Sequence, residues 1–76
     1  MITVHMIGNA HLDPVWLWRK SDGTDAALAT AHSACDRLEE YGGFVFTCSG
    51  SWFHRQAEEL DPALFARIAS FVRAGR

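Results

Sequence analysis

From Ile2 to Ala10 the chain mixes β-branched and apolar positions and then meets His11-Leu12-Asp13-Pro14, a pattern that predicts a strand followed by a loop. Pro14 biases Asp13 toward an extended conformation and stops a ladder there. Between Thr24 and Tyr41 the residues Leu28, Ala31, Cys35 and Leu38 recur at offsets of three, four and three. They share one helical face, while Asp36, Arg37, Glu39 and Glu40 lie elsewhere. Asp22 or Thr24 is placed to cap that helix and Gly42-Gly43 to end it. Phe44 to Ser49 is apolar and β-branched without alternation, the pattern of a strand covered on both faces. A short polar helix is expected over Ser51 to Glu59. Asp61-Pro62 then supplies an N-cap and a proline at the first helical position, ahead of the stripe Leu64, Ile68, Phe71 and Val72. Gly75 follows that stripe.

The order is β-α-β-α, and a helix between two strands implies a crossover joining parallel neighbours, so the fold class is α/β. Two such units leave both sheet edges open, whereas parallel sheets persist with their faces covered. At about 35 residues per unit, a closed parallel barrel of about 250 residues needs several more. The expectation is therefore a fragment, residues 1–76 forming the N-terminal part of a larger α/β enzyme domain.

Composition narrows the partners. The 76 residues are 49% hydrophobic and 21% charged, a balance that favours folding over disorder. Seven Lys and Arg against nine Asp and Glu give a net charge of -2, so no general basic field favours nucleic acid or an anionic membrane. The stretch Met1 to Ala10 is interrupted by Thr3, His5, Gly8 and Asn9 and has no basic region before it, which reads as neither signal peptide nor membrane span. A cytoplasmic protein is expected. Cys35 and Cys48 stand thirteen positions apart, a spacing of neither a zinc knuckle nor a redox pair, and are expected to be buried free thiols. Nothing in the pattern sets an oligomeric state.

In parallel α/β domains the residues just past the carboxyl ends of strands face the ligand. His11 and Asp13 occupy that position, and as i and i+2 in an extended segment they project to the same side, able to meet one cation. Zinc accepts both donor types, but a catalytic zinc uses three or more protein ligands, so two residues alone are a weak signal. Trp16 and Trp18 follow. An indole face stacks on a sugar ring, or fills core; Trp16 and Trp18 cannot share one helical face, so one is expected toward the site and the other against neighbouring elements. His5 lies about 20 Å from His11 along an extended strand and is expected in the interior. His32 falls mid-helix, one position from the apolar stripe, and is expected at the surface or its boundary; His54 follows the second strand near a pocket rim, and Ser49, Ser51 and Cys48 lie near the end of that strand without the partners of nucleophilic catalysis. Glu39-Glu40 and Glu58-Glu59 read as solvated faces.

The run Gly8-Asn9-Ala10-His11-Leu12-Asp13-Pro14-Val15-Trp16-Leu17-Trp18 resembles the opening strand and loop of glycoside hydrolase family 38, the retaining class II α-mannosidases, with their motif His-x-Asp-Pro-x-Trp-Leu. Phe44 to Phe53, Asp61-Pro62 and Gly75-Arg76 are similar to that family's second strand and helix. The resemblance implies that His11 and Asp13 are two of the four protein ligands of a catalytic zinc and that Trp16 stacks on the mannose of an α-mannoside substrate. It also implies a zinc that binds the sugar's 2- and 3-hydroxyls, an aspartate nucleophile and a carboxyl acid/base. These carboxyl groups have no counterpart here and are expected beyond Arg76. Leu12 departs from the polar residue many members carry, and its position directs it away from the ligands. The competing expectations are another metal-dependent hydrolase barrel and a non-catalytic fragment.

Overall fold

The computed structural model describes residues 1–76. Its elements are β1 (Gly8–Ala10), α1 (Lys20–Glu40), β2 (Phe46–Cys48), α2 (Ser51–Leu60) and α3 (Pro62–Arg73). The two strands pair in parallel, with Gly8 opposite Phe46, Asn9 opposite Thr47 and Ala10 opposite Cys48. The α/β class and the parallel crossover are as expected, and the two expected helices after β2 are both present.

Both strands are shorter than the pattern suggested. A parallel strand extends only as far as it has a partner, and Gly8 is the first residue of β1 to find one, donating its N–H to the Val45 carbonyl at 2.8 Å. Met1 to Ile7 therefore stay outside the sheet with their side chains exposed, His5 among them, which corrects its expected interior place. β2 is covered on one face and not on two. Phe46 and Cys48 are half-buried on the side where the helices pack, while Thr47 between them is exposed.

α1 starts at Lys20, a turn earlier than expected. Asp22 caps it from inside, its carboxylate accepting the Arg19 N–H at 3.3 Å. Thr24 lies within the helix and donates its hydroxyl to the buried Gln56 of α2 at 3.1 Å. The apolar stripe is legible in the packing: Ala31, Cys35 and Leu38 are buried, joined by Ala27 and Ala34 one turn aside, and Leu28 is half-buried. Small side chains on this face let α2 and α3 approach, and Phe53, Ala57 and Leu64 complete the core. Of the expected α3 stripe, Leu64 is buried and Ile68 and Phe71 pack against the core, but Val72, in the last turn, is exposed. Arg67 of α3 bridges to Asp36 and Glu39 of α1 at 3.1 and 2.8 Å.

Asp61 closes α2 and opens α3, its Oδ1 accepting the Leu64 N–H at 3.1 Å with Pro62 at the first helical position. At the far end, Gly75 takes φ 79° and the N–H groups of Gly75 and Arg76 return to the Val72 and Phe71 carbonyls, the two bonds of a Schellman stop. This turn delivers Arg76 to the start of β2, where its guanidinium donates to the Tyr41 and Phe44 carbonyls at 2.6 and 2.8 Å and its own carbonyl accepts the Phe46 N–H at 3.2 Å. No helix is long and apolar enough to cross a membrane.

Candidate metal and sugar site

The strand register decides which side chains meet beyond the carboxyl end of the sheet. Asn9 and Thr47 point to the face without helices, and the Thr47 hydroxyl donates to Asn9 Oδ1 at 3.3 Å. Two residues further along both strands, on the same face, are His11 and Ser49. Their side chains continue the pairing past the end of the backbone ladder, with His11 Nδ1 2.7 Å from Ser49 Oγ. The other ring nitrogen, Nε2, is 3.3 Å from Asp13 Oδ1. The alternate residue Leu12 turns to the opposite side and packs against the core, as its parity requires.

This triplet is open to solvent, the His11 and Asp13 side chains being 68% and 46% exposed. A nitrogen and a carboxylate oxygen each bound about 2.0–2.1 Å from one tetrahedral ion stand about 3.3 Å apart, so the separation observed between Nε2 and Oδ1 fits two ligands of a zinc. A tetrahedral ion takes four ligands, and two such donors meet here. No group of three or more His, Cys, Asp and Glu side chains comes together anywhere in the structure.

The loop from Pro14 to Arg19 carries the tryptophans. Its backbone presses on α1 at Gly23, where an added Cβ would collide with the Pro14 carbonyl oxygen and stand 3.1 Å from the indole nitrogen of Trp18. Trp18 thus lies along α1 at 37% exposure, while Trp16 presents 66% of its surface to solvent. Trp18 takes the packed position and Trp16 the open one.

A second polar pair sits on the covered face. Cys48 Sγ is 3.3 Å from His54 Nε2, and both line a cavity of about 230 Å³ together with Cys35, Phe53 and Phe71. His54 Nδ1 is buried without a partner. Both thiols are free, Cys35 buried and Cys48 half-buried, and burial pushes each above the ordinary thiol value. His32 is exposed at the helix surface, bonded to Asp61.

Ser49 was legible in the sequence only as a residue near the end of the second strand. Its meeting with His11 follows from the register Asn9 to Thr47, which no periodicity in two short strands specifies.

Comparison with known proteins adds a family. The family described as the glycosyl hydrolases family 38 N-terminal domain matches residues 1–76. Alpha-mannosidase 2C1 of Mus musculus is 29% identical over 80 residues, covering 97% of this chain and 7% of its own length. The Homo sapiens alpha-mannosidase 2C1 gives the same figures, 29% over 80 residues, 97% and 7%. The chain thus spans a small part of the curated relatives it matches. No solved structure matches it.

Proposed function

The chain belongs to glycoside hydrolase family 38, and from that premise we propose that it is the N-terminal part of the catalytic domain of a zinc-dependent, retaining α-mannosidase. In this reading β1 and β2 are the first two strands of a parallel (β/α) barrel, and the site opens at their carboxyl ends. His11 and Asp13 hold the zinc with donors from elsewhere in the full-length enzyme. Bound there, zinc supplies a fixed positive charge that grips the hydroxyls of the terminal mannose. Trp16 offers its exposed indole to the apolar face of the ring, and Asn9 and Thr47 present amide and hydroxyl groups on the same sheet face. The nucleophile and acid/base carboxyl groups belong to other parts of the enzyme. Two unpaired cysteines agree with a reducing, cytoplasmic setting.

The observation that carries the proposal is the approach of His11 Nε2 to Asp13 Oδ1 at 3.3 Å, within the segment the family shares and at the ligand-facing end of the sheet. The experiment is metal analysis of the full-length protein together with hydrolysis of an aryl α-mannoside. The wild type is expected to carry zinc and to release the aryl group with retention at the anomeric carbon. His11→Ala and Asp13→Ala are each expected to lose both metal and activity. Full zinc content and full turnover in either variant would remove the assignment. Hydrolysis of a phosphate ester or an amide in place of the mannoside would favour a different metal-dependent hydrolase.

A further inference from the structure

We propose that Ser49 is the positioning residue of this site: its hydroxyl accepts the Nδ1 proton of His11 and so leaves Nε2, with its lone pair, as the nitrogen that faces Asp13 and the cation. The inference rests on the zinc reading above and adds to it a residue from the second strand.

A neutral imidazole carries one proton, and whichever nitrogen binds a metal, the other must be the N–H. That N–H needs an acceptor, and an acceptor in a fixed place decides both the tautomer and the ring plane. Ser49 Oγ is 2.7 Å from Nδ1, closer than Nε2 is to Asp13 at 3.3 Å. A hydroxyl accepts from Nδ1–H while keeping its own proton for solvent or substrate.

The backbone on both sides holds the two groups in place. His11 follows Ala10, and Ser49 follows Cys48, the last pair of the ladder. Immediately after Ser49, Gly50 takes φ 89°, a conformation that L side chains avoid, and turns the chain into α2 at Ser51. Ser49 therefore stands directly after the last ladder pair and just before a sharp turn. It is exposed, so its hydroxyl does not serve the core.

The test compares wild type, Ser49→Ala and Ser49→Thr in the full-length protein, using zinc itself as the probe. Chelator competition is expected to show zinc held about 10–100-fold more weakly in Ser49→Ala, with Ser49→Thr close to wild type because the hydroxyl is restored. In ¹⁵N-histidine-labelled, zinc-loaded protein, the Nδ1–H proton of His11 is expected as a protected signal in wild type and Ser49→Thr, and to be lost to water exchange in Ser49→Ala. Equal zinc affinity in wild type and Ser49→Ala overturns the role of Ser49 and leaves the metal reading standing. Equal weakening in Ala and Thr variants, or metal found on Nδ1, also overturns it. A wild-type protein that takes up no zinc overturns the metal reading, and this inference with it.

Discussion

His32 Nε2 of α1 lies 2.9 Å from Asp61 Oδ2, so one carboxylate ties the middle of the long helix to the joint between α2 and α3. The same side chain caps α3 through the Leu64 N–H. The Leu64 N–H first, and His32 second, hold the Asp61 carboxyl below its ordinary value of 3.8. A carboxyl depressed on folding contributes stability above its unfolded value and loses it as pH falls through the folded one. Chemical melts of the full-length protein are therefore expected to weaken from about pH 5 downward. Asp61→Asn, which still caps, should flatten that acid limb, whereas Asp61→Ala should lower stability at neutral pH as well. An acid limb in Asp61→Asn as steep as in wild type would refute the assignment.

Gly23 shows why a helix carries a residue poorly suited to it. An exposed Gly→Ala change in a helix gains about 1 kcal/mol. Here the Cβ would strike the Pro14 carbonyl and crowd the Trp18 indole, and overpacking of this kind costs about 1–3 kcal/mol. Gly23→Ala is expected to be net destabilising in a thermal melt and to raise the exposure of Trp18, seen as a change in tryptophan emission. A variant more stable than wild type would mean that the loop gives way freely.

The two tryptophans of the loop should separate by phenotype. Trp16→Ala is expected to raise KM for an aryl α-mannoside and lower turnover with zinc content unchanged, because the indole supplies an apolar face and no ligand atom. Trp18→Ala should lower the melting temperature and affect catalysis less. Kinetics and melts with these roles exchanged would assign the stacking ring to Trp18.

Leu64 is the most deeply buried of the large side chains, joining α3 to α1 and α2. Leu64→Ala leaves a cavity where three helices meet and is expected to cost about 2–5 kcal/mol in chemical denaturation. Val72→Ala, one face removed and exposed, should cost far less. Equal losses at the two positions would contradict the packing.

Prepared as residues 1–76 alone, the polypeptide is expected neither to hydrolyse an aryl α-mannoside nor to bind zinc tightly. It brings two donors together where a catalytic zinc uses at least three. Its sheet has two strands, and Ile2, Val4, Met6 and Ile7 are exposed beside it. Aggregation and a broad melt are the expected behaviour. A zinc titration and a circular dichroism melt check both points, and submicromolar zinc affinity with a cooperative transition would identify a self-contained metal-binding module.

Local features were readable from the residues because local physics makes them. The three-and-four spacing of Ala31, Cys35 and Leu38 set one face of α1 whatever it packs on. Asp61-Pro62 is a cap and a first helical turn in any context, and parity along an extended chain put His11 and Asp13 on one side with Leu12 on the other. Where a side chain's position depends on a distant partner, the pattern fell silent or misled. Ile2 to Ile7 has strand-forming composition but no neighbour to pair with, so β1 begins at Gly8 and His5 stays in solvent. The parallel register, with Asn9 opposite Thr47, arises from backbone pairing and the helices packed beneath it, and it alone brought Ser49 to His11 across thirty-eight residues. The sequence by itself determined the donor types and the side of the chain on which they stand; tertiary structure decided which groups hold them, because a hydrogen bond 2.7 Å long between two strands exists only once those strands are in register.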